Sequence, residues 1–135
     1  MLEIKSKNVI VNTNQEHVYN YLMDLNNFEN LLPRDSISNF KSDTKSCSFK
    51  VTGGYAIGLE YKESSEFNKI ILKSSESSPF PFTLDIFIDE KDGKVDAHQV
   101  VNADVNTFLK MVIEKPLRSL FDYIADRLVK VFEQK

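Results

Sequence analysis

Little in the sequence announces chemistry by residue type. Cysteine occurs once, at Cys47. That excludes a disulfide within the chain and any zinc or iron–sulfur site built from several of its cysteines. There are two histidines, His17 and His98, and four glycines. They supply no Ser-His-Asp order, no paired catalytic carboxylates and no phosphate-cradling loop. No catalytic constellation, metal or cofactor is therefore expected, and an enzyme is the less favoured reading. The net charge of −3 gives no electrostatic footprint for nucleic acid. The apolar runs fall far below the ~18 residues of a membrane span. The opening residues, Met1 to Lys5, lack the basic and apolar regions of a secretory leader, so a cytoplasmic location is expected. Hydrophobic residues at 41% and charged residues at 27% indicate a folded rather than a disordered chain. Its length predicts one domain spanning 1–135.

Apolar periodicity is what the sequence does have. From Asn106 to Lys135, Leu109, Val112, Ile113, Pro116, Leu117, Leu120, Phe121, Ile124, Leu128, Val131 and Phe132 recur mostly at steps of three and four. That spacing predicts one long amphipathic helix. Its opposite face carries Lys110, Glu114, Arg118, Asp122, Asp126 and Lys130. From Ser36 to Val105 the period falls to two: Cys47, Phe49 and Val51; Tyr55, Ile57, Leu59 and Tyr61; Phe82, Leu84, Ile86 and Ile88; Val95, Ala97, Val101, Ala103 and Val105. One buried and one wet face indicate an antiparallel sheet of about six strands here. Asp92-Gly93 is a strong hairpin signal. Before this region, residues 2–12 read as a strand whose parity slips between Ile4 and Val9, predicting a bulge or twist. Thr13 and Glu16 form a capping box opening a helix, and Asn26 is placed to cap a second short one before Pro33. Strands and helices that do not alternate give an α+β class. A curved seven-stranded sheet needs a cover, and only the C-terminal helix, roughly 40 Å at ~1.5 Å per residue, is long enough.

Val9-Ile10-Val11-Asn12 runs into Gln15-Glu16-His17-Val18-Tyr19-Asn20-Tyr21-Leu22, followed by Asp24, Phe28 and Pro33. With the long final helix, this order resembles the helix-grip fold of the START/Bet v 1-like (SRPBCC) superfamily over the whole chain. The resemblance implies β-α-α-β6-α, a sheet gripping the last helix, and a cavity between them for a hydrophobic or amphipathic small molecule or lipid. Carriers, polyketide cyclase-like enzymes and interaction modules all occur on this fold, and all three readings stay open. The glycine-rich loop of the plant pathogenesis-related branch is not matched, since only Gly53-Gly54 stand there. The two histidines do not match the iron site of the ring-hydroxylating oxygenases.

Cavity candidates follow from parity. Gln99 shares the inward parity of Val95 to Val105. An inward amide meets a protein partner, water or a ligand's polar end, because leaving it unpaired costs roughly 1–3 kcal/mol. Tyr55 and Tyr61 each have an apolar ring and a polar tip, suited either to orienting a ligand or to closing a core at its rim. Phe49, Leu59, Phe82, Leu84, Ile86 and Val101 line the same face, as core or as pocket. Phe108, Met111 and Val112 open the long helix, the end that the resemblance places near the cavity mouth. His98 has the outward parity, as does Phe87, a weak hint of a contact surface. Cys47 points inward and reads as a small buried hydrophobe. Pro116, inside the helical pattern, predicts a kink, a break or a gate.

Overall fold

Alternation and turn chemistry build the sheet. The computed structural model describes residues 2–52 and 56–133. Among these the strands are β1 (Leu2–Lys5), β2 (Val9–Val11), β3 (Ile37–Asp43), β4 (Ser46–Val51), β5 (Ala56–Ser65), β6 (Lys69–Ser74), β7 (Phe82–Lys91) and β8 (Lys94–Ala103). All the pairings are antiparallel, in the order β1-β8-β7-β6-β5-β4-β3, and β2 also pairs with β8. Helix α1 (Gln15–Met23) and two 3-10 helices, Leu25–Asn30 and Arg34–Ser36, lie between β2 and β3. Helix α2 (Thr107–Glu133) ends the described chain. The architecture is the expected α+β one, a curved antiparallel sheet with a long C-terminal helix.

The sheet has eight strands rather than seven, because the first predicted strand breaks in two. Leu2 to Lys5 pair with Ala103 to Val100, and Val9 to Val11 pair with Ala97 to Val95. The residues between them cross β8 at Gln99. Ser6 donates its N–H to the Gln99 carbonyl at 2.9 Å and accepts the Gln99 N–H on Oγ, also at 2.9 Å. The parity slip in the sequence marks this bulge. It also grips the helix: the Lys7 N–H donates to Asp122 Oδ1 at 2.9 Å, and Lys7 Nζ pairs with Asp126 at 2.7 Å.

The Asp92-Gly93 turn joins β7 and β8 with φ of 53° and 79°. Two successive positive φ values are what a tight hairpin turn requires, and glycine accepts them without a Cβ penalty. The caps fall elsewhere than expected. Asn14, not Thr13, caps α1, its side chain accepting the His17 N–H at 2.9 Å, while Thr13 Oγ1 contacts His17 Nδ1. Asp24, not Asn26, caps the first 3-10 helix. Asp, Asn and Thr are all competent acceptors, so composition alone does not choose among adjacent ones. The 3-10 helix contributes Leu25 and Phe28 to the core, and its C-cap Leu31 joins them, all three fully buried.

Gly58 shapes one end of the sheet. A Cβ there would lie 1.8 Å from Ser75 Oγ and 3.0 Å from Ser77 Cβ. The Gly58 N–H donates to Ser78 Oγ at 2.9 Å, and that hydroxyl donates back to the Gly58 carbonyl at 3.1 Å. This close approach folds the 75–81 segment against β5 and delivers Phe80 to the core. Gly58→Ala is expected to destabilise by about 1–3 kcal/mol, the cost of overpacking. A chemical denaturation curve of the variant checks this.

Candidate functional site

The space between sheet and α2 is assembled from the inward residues of β5 to β8 and one face of the helix. It is nearly filled. Among the described residues two small pockets of about 10 Å³ each lie there, against the ~300–1,000 Å³ of a typical small-molecule pocket. The first is walled by Val9, Leu22, Phe28, Ile86, Ala97, His98, Gln99, Ile124, Ala125 and Leu128. The second is walled by Ile57, Ser78, Pro79, Phe80, Phe82, Val101, Leu117 and Phe121. They lie in tandem: along β8 the walls pass from Ala97 and Gln99 to Val101, and along α2 from Ile124 back to Phe121 and Leu117. Gln99 and Phe121 stand at the junction. Gln99 Nε2 donates to the Phe121 carbonyl at 3.1 Å.

Gln99 is only 5% exposed, and its Oε1 has no hydrogen-bond partner. The amide orientation follows from the Phe121 carbonyl, which accepts only from the NH₂ end. The other unpaired buried side-chain atom among the described residues is His98 Nδ1. Its ring lies on the opposite face of the sheet, stacked on Phe87 with centroids 4.8 Å apart. Phe87 is therefore covered by this ring and by Lys69 Nζ, 5.2 Å from its centroid.

Burial, and secondarily Lys5, lowers the His98 pKa from its ordinary 6.5. A folded-state value below the unfolded one favours neutral histidine in the fold. The stability it contributes is present in full above pH 6.5 and is lost as pH falls through the lower folded-state value. A stability–pH curve should decline across that window, and His98→Gln should flatten the decline.

The other expected site residues are divided. Ile86 and Gln99 face the first cavity, and Phe82 and Val101 the second. Phe49, Leu59 and Leu84 are buried in the core without bordering either. Tyr61 pairs with the fully buried Leu72, so it keeps the inward parity, but it borders neither cavity: its hydroxyl and that of Tyr19 each lie 2.9 Å from Ser64 Oγ, and Lys45 Nζ lies 4.5 Å from its ring centroid. The register shift between Tyr61 and Glu63 takes β5 out of simple alternation only beyond Tyr61. Tyr55, with Gly53-Gly54, lies outside the described residues. Cys47 is buried, and that burial pushes its thiol up to about 12, so it stays protonated at neutral pH.

Phe108, Met111 and Val112 are 75%, 76% and 53% exposed. They face solvent rather than either cavity. The helix is continuous through Pro116, yet its halves are held unequally. From Leu120 onward Leu120, Phe121, Ile124, Leu128 and Phe132 are buried, whereas the first half buries only Ile113 and Leu117 among its large side chains. Each such burial is worth about 1.5–3 kcal/mol. The polar ties between the helix and the sheet or the 3-10 segment are also one-sided among the described residues, made by Arg118, Asp122, Asp126 and Arg127. Beside Pro116 an open groove of about 250 Å³ runs between Pro33, Ile37, Val51, Leu120 and Tyr123.

Two contributions escaped the sequence reading. Ala125 carried no signal beyond its small size, which leaves room opposite Gln99. Phe121 was legible as core, but its place between two cavities depends on register. No group of three or more His, Cys, Asp or Glu side chains among the described residues is arranged to hold a metal. No helix among them is long and apolar enough to cross a membrane.

No family model matches the chain, and no curated protein matches it. Solved structures do. The protein XoxI from Bacillus cereus superposes with a TM-score of 0.76 at 12% identity, over 99% of this chain and 97% of that one. Ms6760 from Mycobacterium smegmatis gives 0.76 at 13% identity, over 99% and 92%. CV1439 from Chromobacterium violaceum gives 0.75 at 13%, over 98% and 99%. At such identities the likeness is one of fold. The chain shares with these proteins a small antiparallel sheet and a long C-terminal helix, consistent with a helix-grip arrangement.

Proposed function

We propose that the protein binds a hydrophobic or amphipathic small molecule between the sheet and α2, as a carrier or sensor of the SRPBCC kind. The observation that carries this reading is the unequal anchoring of α2. Its first half rests on two large buried side chains and exposes Phe108, Met111 and Val112 beside an open groove. Lifting or rolling that half costs few contacts and gives access to the second cavity through Leu117 and Phe80. The exposed apolar residues then have a ligand to cover. Contiguous apolar exposure of this kind marks binding surfaces. The cyclase-like alternative has less support, because neither cavity is lined by a carboxylate, lysine or arginine. A second reading, a protein-interaction module using the same exposed face, is favoured by the small interior volume.

Native mass spectrometry of protein purified from its own host, with thermal shifts against lipid and aromatic panels, tests the proposal. A retained small molecule, or a melting temperature raised by several degrees at a hundredfold excess over Kd, is expected; such an excess corresponds to about 2.7 kcal/mol. No bound mass and no shift across the panels would overturn it and leave the interaction module.

A further inference from the structure

We propose that the inner cavity receives the hydroxyl end of a linear amphipath, with Gln99 Oε1 accepting its hydrogen bond and the alkyl chain running outward past Phe121. This deepens the ligand-binding reading and rests on it. Gln99 is more than nine-tenths buried, its Nε2 is committed to the Phe121 carbonyl, and its Oε1 has no partner. The amide thus keeps one acceptor without a partner beside this space, while one of its two N–H donors is taken by the Phe121 carbonyl.

The surroundings select what can use that acceptor. A water needs two to four polar partners. Here Gln99 shares the wall with Leu22, Phe28, Ile86, Ile124 and Leu128, and the other polar side chain of the wall, His98, has its ring on the far face of the sheet. A water would satisfy one hydrogen bond and forfeit the rest. An alcohol has one proton to donate and brings carbon to meet an apolar wall. A carboxylate is disfavoured: it would face the amide oxygen lone pairs, lose its hydration, and find no lysine or arginine in the lining.

The shape selects a chain. The inner and outer cavities follow one another along β8 and α2, parted by the Phe121 side chain. From Gln99 to the end of β8 at Ala103 is four residues, roughly 13 Å at ~3.3 Å per residue. A rotamer change at Phe121, with the first half of α2 displaced, joins the two into a slot open at the helix start.

The test compares three probes on the intact protein by calorimetry: 1-octanol, its isomer 1-methoxyheptane, which has no donor, and octanoate. Wild type is expected to bind octanol about tenfold more tightly than the ether, the size of one net buried hydrogen bond. Octanoate should bind more weakly than octanol, and octanol should shift the Gln99 side-chain amide resonance. In Gln99→Met, of similar volume, octanol and ether should bind alike. The inference is overturned if wild type binds the isomers equally, if octanoate binds best, or if the preference for octanol survives in Gln99→Met. The wild-type comparison stands alone should the variant fail to fold. If these probes fail while other lipids or aromatics bind, the inference falls and the ligand-binding reading remains. If nothing binds, both fall.

Discussion

Phe121→Ala is expected to lower stability by about 3–5 kcal/mol and, at the same time, to create a site for small apolar molecules. The loss has two sources: the transfer free energy of a buried ring and the void it leaves. The void is the unusual part. Phe121 borders the outer cavity through its side chain and holds Gln99 through its carbonyl. Truncation removes the partition while sparing the backbone hydrogen bond, so the two ~10 Å³ spaces should merge with the volume of the lost ring. A dry apolar cavity of that origin takes up benzene-sized ligands. Urea denaturation with and without an apolar ligand measures both effects. A loss below about 1 kcal/mol, or no recovery of stability with ligand, would show that the helix collapses into the space and that the cavities do not connect.

Pro116→Ala is expected to have the opposite sign, raising stability by up to about 3 kcal/mol, the difference between proline and alanine in a helix interior. Proline at this position lacks the N–H that would reach the Val112 carbonyl and presses its ring towards that oxygen. The helix nonetheless runs unbroken from Thr107 to Glu133, so the strain is carried within it rather than relieved by a break. The proline stands where the firmly held half gives way to the lightly held one. Replacing it should therefore also slow ligand entry and exit, which stopped-flow binding would register. An unchanged or lowered stability would mean that the bend is what seats Ile113, Leu117 and Leu120.

Much of this architecture is legible in the sequence. Period-two runs located β4, β5, β7 and β8, the three- and four-step row located α2, and Asp92-Gly93 located the β7–β8 hairpin, because each is a local consequence of burying one face. The inward direction of Gln99 followed from the same parity. What escaped depended on contacts between distant segments. The break between β1 and β2 exists because Ser6 bonds to Gln99 and Lys7 to the helix, pairings 93 and 115 residues apart. The exposure of Phe108, Met111 and Val112 depends on how far the sheet extends beneath the helix, which no periodicity encodes. Their i, i+3, i+4 spacing marks them as one face and leaves undetermined whether that face meets protein, ligand or water.

Ligand binding is expected to secure the lightly held first half of α2 against the firmly held second half. Amide hydrogen exchange across the helix, with and without saturating 1-octanol, tests this most directly, since exchange reports local opening free energies segment by segment. The prediction is fast exchange over residues 107–117, slow exchange over 120–132, and strong protection of the first segment when the alcohol is bound. Uniform protection along the whole helix, unchanged by ligand, would contradict it.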